Sequence, residues 1–359
     1  MGNNTHTADC PRVSFIIPTL NRGLYVSRAV ESCLRNASDS VQLEVVVIDS
    51  SSDDGSFENL KVTYGSDTRV RLLQNVRSSG PLISWLEGVE AATGDYMTFV
   101  WSDDVISPRF LGALLPPLQA GAVLSYGAGM LANVDSSVIF PEEIPAAEFN
   151  DRHTLLKQYY HPQSFRSVPI VVSPVCSLFD SKIVRNWMQQ VERFCHATAL
   201  RERLMWRSAI GPDLMLYLSA LSPGTPQVAV VRTYTAKFSE HPGSITTSSN
   251  DWILKTGYWL AKLWYLEEFH RIERREVVRG YWGSTFMMGC FLLLTAPLST
   301  QSRRLSFGVI RELTSLLCMA WRGGFLISGF CSAAVEGSRR VMERIKIKNG
   351  ANAVGRGIK

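Results

Sequence analysis

The chain has 359 residues, of which 46% are hydrophobic and 19% charged, a composition that excludes an intrinsically disordered protein and allows one or two folded domains. The net charge of +5 is unevenly distributed, because residues 250–359 contain 17 Lys or Arg and only 8 Asp or Glu. The 7 cysteines include no CxxC pair, which argues against a zinc site and a disulfide scaffold and indicates a reducing cytoplasm.

The first part of the chain alternates predicted strands with predicted helices. The polar residues 1–11 predict a disordered start without the pattern of a signal peptide. Short apolar runs predict strands over residues 12–19, 41–48, 70–73 and 97–100. Apolar residues at helical spacing predict helices over residues 25–35 and 81–92. This alternation predicts an α/β fold with a doubly wound, mostly parallel sheet flanked by helices.

Acidic residues follow two of these strands. Asp49 ends the second strand, and Asp103 and Asp104 come shortly after the fourth. Because right-handed crossovers place the carboxyl ends of the strands at one edge, we expect these acids to meet there, beside Pro18 and Thr19. Carboxylates at such an edge suit Mg²⁺ or Mn²⁺. The alternative is that Asp103 caps the next helix and Asp104 is solvated.

Residues 116–250 have a less regular pattern. We predict strands over residues 122–127, 137–140 and 228–231, a helix over residues 181–194, and an acidic loop over residues 142–151. Pro212 suits the first position of a further helix, and Asp213 then lies in its first turn, where an acid is also favoured by the helix dipole. A later loop contains His241, followed by Pro-Gly.

Four motifs of the first part together resemble the family 2 glycosyltransferases with the GT-A fold. They are IIPTLNR at residues 16–22, VVIDSSSDDGS at 46–56, TGDY at 93–96 and WSDD at 101–104. The resemblance is strong over residues 12–115, fainter to about residue 250 and absent beyond. It implies a Rossmann-like GT-A domain over residues 12–250, with a nucleotide-sugar-binding half (12–115) and an acceptor half (116–250). Residues 171–179 resemble the family's strand of small residues that faces the acceptor, which predicts a strand there.

The resemblance also implies roles for individual residues. Those expected to contact the nucleotide sugar are Pro18, Thr19, Asn21, Asp49, Ser102 and Asp103, with Asp49 at the base or the ribose. Asp103 and Asp104 are expected to hold Mn²⁺ or Mg²⁺ on the diphosphate. Such an ion stabilises the charge that develops on the leaving nucleoside diphosphate.

At three positions the chain departs from the family's pattern. Ser50 stands where a second Asp is usual, Trp85 and Leu86 stand where Arg-Asn is usual, and Trp101 replaces the first acid of Asp-x-Asp. The first two sites commonly help to read a uracil base, so the identity of the donor base is left open. Trp85 either stacks on a base or packs in the core.

The family carries its catalytic base on an acid just before or inside a helix like the one predicted at Pro212. This implies that Asp213 takes the proton from the acceptor hydroxyl in an inverting reaction, with Glu202 as the alternative. Many members also have a His-containing loop after that helix, which implies that His241 contacts the metal or the phosphate.

Residues 251–359 are predicted to be helical, basic and rich in aromatic side chains. The apolar segment at residues 284–298 is about 15 residues long, whereas a spanning helix needs about 20, which predicts a buried or interfacial helix. Aromatic residues, short apolar helices and Lys or Arg together are typical of peripheral contact with an anionic membrane. The alternative is a helical subdomain or a contact in a homo-oligomer, with a solvated basic tail.

These expectations lead to three hypotheses of function. The first is a cytoplasmic, inverting, metal-dependent glycosyltransferase that moves a sugar from a nucleoside-diphosphate-sugar to a hydroxyl of a polysaccharide or lipid-linked oligosaccharide. The second is a nucleotidyltransferase, which residues 18–23 disfavour because they lack a Gly-rich, basic phosphate loop. The third is a non-catalytic carbohydrate-binding or scaffold protein that has lost donor contacts. No motif indicates a nucleic-acid partner.

Overall fold

A computed structural model describes residues 10–75, 80–160, 173–241, 250–297, 300–324 and 326. The chain divides into two compact units, one up to Asn250 and one from Asp251. The predicted disordered start, apart from its last two residues, and the basic tail beyond residue 326 lie outside the described residues.

The first unit is built on one nine-stranded sheet. Its strands are β1 (Arg12–Thr19), β2 (Gln42–Asp49), β3 (Val70–Gln74), β4 (Tyr96–Phe99), β5 (Val105–Ile106), β6 (Leu124–Asn133), β7 (Glu148–Asn150), β8 (Ser177–Asp180) and β9 (Val228–Glu240). Their order across the sheet is β3-β2-β1-β4-β8-β6-β9-β5, with β7 paired to β9.

The strands β3, β2, β1 and β4 are parallel, as the alternation of strands and helices predicts. Thr19 pairs with Asp49, and Asp49 pairs with Gln74, so the carboxyl ends of three strands lie side by side. The apolar runs are long because these strands are covered on both faces, and Val45 through Ile48 have no exposed surface.

The other half of the sheet is mixed rather than parallel. Strand β8 is antiparallel to both β4 and β6, and β9 is parallel to β6 but antiparallel to β5 and β7. The prediction of a mostly parallel sheet therefore holds for the first four strands, whereas the other half combines parallel and antiparallel pairs. The directions of β5 and β7 could not be read from sequence, because strands of two or three residues carry no periodicity.

Eight helices occur in the described part of the first unit. They are α1 (Leu24–Leu34), α2 (Ser56–Tyr64), α3 (Pro81–Ala91), α4 (Phe110–Gln119), α5 (Arg152–Tyr160), α6 (Ser181–Cys195), α7 (Ala199–Arg201) and α8 (Pro212–Ala220). Local chemistry sets several of their starts: Pro81 and Pro212 occupy first-turn positions, and the Asp180 carboxylate accepts the Lys182 N–H at the start of α6.

Two predicted strands differ from the structure. Residues 137–140 are not in a strand, because β6 ends at Asn133 and the chain turns there. Of the strand predicted over 171–179, residues 171 and 172 lie outside the described residues. Pro174–Cys176 forms a 3-10 turn, and the strand begins only at Ser177. Proline cannot donate to a sheet ladder, which accounts for the late start.

The second unit contains three described helices, α9 (Asp251–Phe269), α10 (Arg275–Leu294) and α11 (Thr300–Arg322). Tryptophans join them: the indole N–H of Trp259 donates to the Thr285 carbonyl at 2.7 Å, and that of Trp282 donates to the Leu316 carbonyl at 2.8 Å. A Cβ on Gly289 would lie 2.7 Å from Leu313 and 2.8 Å from Trp259, so glycine permits this close packing.

Helix α10 is longer than the sequence predicts. It begins at Arg275 rather than near residue 284, and it ends at Leu294, before Pro297. Its length and composition would allow it to cross a membrane, and 44% of its most apolar 18-residue stretch is buried within the protein. Buried core helices of proteins without membrane contact can have the same length and composition.

Candidate active site

The acidic turn after β4 contacts residues that are distant in the sequence. The Asp103 carboxylate oxygen Oδ2 lies 2.6 Å from His241 Nε2 and 4.0 Å from Arg22 Nε. His241 directly follows β9, and Arg22 belongs to the turn between β1 and α1. All three side chains are mostly but not fully buried, at 15%, 10% and 26% exposure for Asp103, His241 and Arg22. An anionic group and two cation-forming groups therefore meet at one edge of the sheet.

Asp104 has a different environment from its neighbour. It is buried, and its Oδ1 accepts the backbone N–H of Ser239 at 2.8 Å. Burial, followed by the charge of Asp103, raises the pKa of Asp104 well above its usual value. The bond to Ser239 ties the acidic turn to β9 two residues before His241. Contact of Asp104 with a metal stays a prediction.

Asp49 is fully buried at the end of β2. Its carboxylate accepts the backbone N–H of Ser52 at 2.9 Å and the Gln74 amide at 3.3 Å, and it also accepts the Ser52 hydroxyl. These bonds order the polar turn that follows the strand. The predicted contact of Asp49 with a base or ribose is not tested by this arrangement.

Asn21 connects the loops after β1 and β2. Its backbone N–H donates to the Ser52 hydroxyl at 2.8 Å, and its side-chain oxygen accepts the N–H of Asp53 at 2.9 Å. Its φ of 51° is in the left-handed region, which asparagine tolerates better than most residues. The two loops are thereby held together beside Arg22.

Thr19 and Ser102 are buried at the same edge, and Pro18 is half-buried. The Thr19 hydroxyl has no hydrogen-bond partner among the described residues. Buried polar groups are normally paired, so a hydroxyl of this kind at a strand end is suited to contact a ligand.

Trp85 packs against other aromatic rings. It is 7% exposed, and its ring centroid lies 4.7 Å from that of Trp101 and 5.6 Å from that of Phe99. Ser50, which stands where the family has an acid, forms a 2.7 Å hydrogen bond with Ser84. Ser84 directly precedes Trp85 on α3. These contacts support the core alternative for Trp85.

Trp101 connects the acidic turn to α8 through Ser173. Its indole N–H donates to the Ser173 hydroxyl at 2.9 Å, and the Ser173 carbonyl accepts the Tyr217 hydroxyl at 2.9 Å. Tyr217 lies one helical turn after Asp213, on the same side of α8. The sequence analysis missed the contribution of Ser173 and Tyr217, although the spacing of four residues from Asp213 indicates a shared helix face.

Asp213 lies in the first turn of α8, as predicted. The Trp187 indole, which is fully buried, donates to the Pro212 carbonyl at 3.0 Å and so fixes this turn. Asp213 is half-buried, whereas Glu202 lies in a π-helical turn, where it pairs with Arg207 at 2.7 Å. The two candidate bases thus differ in environment, and the choice of Asp213 stays a prediction.

Binding of a divalent cation at the acidic turn stays a prediction. No group of three or more His, Cys, Asp or Glu side chains in the described residues is placed to hold a metal. Asp103 and His241 form a pair of a carboxylate and an imidazole, both of which are common ligands of first-row divalent metals. A site with two protein ligands requires the remaining oxygens to come from a substrate or from water.

Comparison with known proteins shows similarity to glycosyltransferases. The profile of glycosyl transferase family 2 matches residues 14–187. A Haemophilus influenzae protein named as an uncharacterized glycosyltransferase is 35% identical over 130 residues, which cover 36% of this chain and 51% of that protein. The Campylobacter jejuni GalNAc(5)-diNAcBac-PP-undecaprenol beta-1,3-glucosyltransferase is 28% identical over 118 residues, which cover 33% and 38%. The chain thus spans about half or less of these relatives.

The crystal structure of residues 1–349 of S. aureus TarS in complex with UDP-GlcNAc matches the fold with a TM-score of 0.57 at 14% identity. The match covers 92% of this chain and 91% of that one, so it includes part of the helical second unit. The family match, together with the strand order and the site at the sheet edge, confirms the predicted fold class. Residues 14–187 of this chain form a glycosyl transferase family 2 domain, and the protein has the GT-A type fold.

Proposed function

We propose that this protein is an inverting glycosyltransferase that moves a sugar from a nucleoside-diphosphate donor to a hydroxyl of a saccharide or lipid-linked saccharide. The observation that carries the proposal is the meeting of Arg22, Asp103 and His241 at the carboxyl edge of a family 2 domain. Ligands of open α/β sheets bind at this edge. The complex of TarS with UDP-GlcNAc and the Campylobacter enzyme's lipid-linked saccharide support the donor and acceptor classes.

The donor diphosphate is expected to lie beside Asp103, with Arg22 as a cation next to it. Arginine suits this role because its guanidinium binds phosphate oxygens in a fixed, two-pronged geometry. The Thr19 hydroxyl, which has no hydrogen-bond partner among the described residues, lies at the end of strand β1 and is available for the nucleotide. The bonds through Asn21 keep these loops in place before the donor arrives.

The side chains that would hold a Mn²⁺ or Mg²⁺ ion are Asp103 and His241. They would supply two ligands of suitable chemistry, and oxygens of the diphosphate or of water would complete the set. When bound, the ion provides Lewis-acid stabilisation of the leaving group. His241 and Asp103 would then exchange their mutual hydrogen bond for bonds to the ion.

Asp213 acts as the general base in this proposal. The acceptor oxygen forms a bond to the anomeric carbon, and the bond from that carbon to the diphosphate oxygen breaks with inversion. The proton of the acceptor hydroxyl passes to the Asp213 carboxylate, and the nucleoside diphosphate leaves with the bonding electron pair. The Trp187 bond to Pro212 keeps this carboxylate at the start of α8. Six cysteines in the described chain are free thiols, which fits a reaction in the cytoplasm.

The test of the base uses a panel of nucleotide sugars to find a donor, and then compares Asp213→Asn with Glu202→Gln. We expect Asp213→Asn to lower kcat by about 10²–10⁴-fold while donor binding persists, and Glu202→Gln to retain activity. The anomeric configuration of the product, followed by NMR, is expected to be inverted. A retained configuration, or equal activity of Asp213→Asn and the unchanged protein, would contradict the mechanism.

The metal site is tested without turnover. Mn²⁺ binding followed by electron paramagnetic resonance, with and without nucleoside diphosphate, should weaken at least about tenfold in Asp103→Asn and His241→Ala. Asp135→Asn is the matched control, since Asp135 is exposed and pairs with Arg28. Unchanged Mn²⁺ binding in both site variants would remove these residues from the metal site.

A non-catalytic carbohydrate-binding protein is the second candidate. It is favoured by the engagement of Asp49 with Ser52 and Gln74, and by Trp101 in place of an acid. Thermal stabilisation by UDP, GDP, CDP or dTDP with Mn²⁺ separates the candidates. Stabilisation by one of these nucleotides is expected of the enzyme, whereas stabilisation by none favours the binding protein.

A further inference from the structure

Helices α10 and α11 expose large apolar side chains at unusual density. Six of the fifteen such residues in the described chain lie on these two helices, which are 20 and 23 residues long. They are Met287, Phe291, Leu294, Phe307, Ile310 and Trp321. Single exposed apolar residues are common on protein surfaces, but a concentration of this kind marks an interaction surface.

On α10 these residues follow one helical stripe. Met287, Phe291 and Leu294 are spaced by four and three residues, and they are 40%, 45% and 86% exposed. Gly289, by contrast, lies against Leu313 and Trp259 inside the bundle. The stripe is therefore the outer face of the helix rather than a frayed part of its packing.

The packing of the two helices brings their exposed residues to one end of the pair. Trp282 bonds to Leu316, and Gly289 lies against Leu313, so the helices run antiparallel. This register places the end of α10, with Phe291 and Leu294, alongside the start of α11, with Phe307 and Ile310. We call these four residues the hairpin end; Phe307 is 73% exposed and Ile310 is 48% exposed.

The charge of α11 is of one sign on its exposed surface. The helix contains four arginines, of which Arg311 and Arg322 are exposed and Arg303 and Arg304 lie in its first turns. Its one acid, Glu312, is 1% exposed. Residues 325–359 contain seven further Lys or Arg and two Asp or Glu. An apolar surface with basic neighbours complements anionic lipid, which attracts Lys and Arg and receives apolar side chains below its headgroups.

We propose that the hairpin end docks on an anionic membrane, with Phe291, Leu294, Phe307 and Ile310 at the boundary between headgroups and acyl chains. A second copy of the chain is a poorer occupant, because it would bring the arginines of two α11 helices together without an exposed acid from either α11. Nucleic acid would engage the arginines but would leave the apolar side chains in water. Membrane docking requires no catalysis, so its test does not depend on whether the proposed reaction is correct.

The test measures binding of the full chain to sedimenting vesicles of phosphatidylcholine, with and without phosphatidylglycerol. The double variant Leu294→Ser/Phe307→Ser removes two apolar side chains from the hairpin end. Its matched control is Val62→Ser/Ile139→Ser, which removes two side chains that are 88% and 93% exposed in the first unit. We expect the double variant to lower the partition coefficient at least about tenfold, and the control to leave it unchanged. Arg311→Gln is expected to weaken binding to phosphatidylglycerol vesicles about fivefold and to leave binding to phosphatidylcholine unchanged.

Circular dichroism melting of each variant checks that the helices remain folded, and sedimentation velocity reports the oligomeric state. Failure of the unchanged protein to bind anionic vesicles overturns the proposal. Equal binding of the double variant and its control also overturns it, since the basic tail alone would then account for the affinity. A dimer that the double variant separates, without vesicle binding by the unchanged protein, assigns the surface to a second copy instead.

Discussion

The close packing of α3 on the parallel strands provides a quantitative test of the fold around the site. Gly88 lies on the face of α3 that covers β1 and β2, where a Cβ would come within 2.3 Å of Ile16 Cγ2 and 2.7 Å of Ile48 Cδ1. Both isoleucines are fully buried in strands whose ends form the site, Ile48 directly before Asp49 and Ile16 three residues before Thr19. A methyl group at Gly88 therefore forces the helix away from the sheet or the isoleucines out of their rotamers.

The expected cost follows from these distances. Overpacking of a well-filled core costs about 1–3 kcal/mol, and contacts as short as 2.3 Å place Gly88→Ala near the upper figure. Alanine recovers about 1 kcal/mol of helix propensity, which leaves a net loss of about 2 kcal/mol. For a domain of this size, that loss corresponds to a Tm lower by about 4–8 °C.

Gly112→Ala is the matched control on α4. Gly112 is exposed, and a Cβ there would lie 3.5 Å from Ile144 Cδ1, an ordinary contact. The control should gain up to about 1 kcal/mol from helix propensity, with a Tm higher by about 2–4 °C. Thermal unfolding followed by circular dichroism measures both variants. If Gly88→Ala were as stable as Gly112→Ala, the described contact between α3 and the strands would be refuted.

Two further predictions concern hydrogen bonds of the first unit outside the site. Trp187→Phe removes the hydrogen bond to Pro212 and should destabilise the protein by about 1–3 kcal/mol. Because α8 carries the proposed base, this variant should lower kcat more than it raises KM. An unchanged midpoint of urea unfolding would refute the prediction. Burial acts to raise the pKa of Glu44, but hydrogen bonds from Ser14 and Thr93 outweigh it, so the pKa is lowered from its usual value of 4.5. The carboxylate therefore stabilises the fold above that pH, and this stabilisation is lost as the pH falls through the folded value. Urea unfolding across the acid range should show a flatter pH dependence for Glu44→Gln, and an unchanged slope would refute the assignment.

The sequence predicted the first four strands and two of the three helices between them, α1 and α3, because their patterns are local, whereas α2 was not predicted. An apolar run that is bounded by polar turns reports burial on both faces, and Pro81 and Pro212 mark helix starts by their own backbone geometry. The four ordered motifs then indicated the family and the GT-A type fold. Short strands such as β5 and β7 were missed, since two or three residues give no period to read.

The candidate site was predicted as a list of residues rather than as an arrangement. Sequence order indicated Asp103 and His241 separately, but their 2.6 Å contact joins residues 138 positions apart. The adjacent Asp103 and Asp104 have the same chemistry in sequence, yet one lies beside Arg22 and His241 and the other is buried against Ser239. The direction of each carboxylate depends on where β9 pairs, and no local pattern encodes that pairing.

The sequence by itself determined the parallel core of this protein, its strand ends and the basic, aromatic character of its last third, because composition and periodicity are properties of contiguous residues. Only the tertiary structure decided which polar groups share the edge of the sheet, that Trp101 reaches α8 through Ser173, and which apolar residues of α10 and α11 remain exposed. Those outcomes depend on contacts between distant segments, whose free energies are set by packing geometry and not by the residues' own propensities.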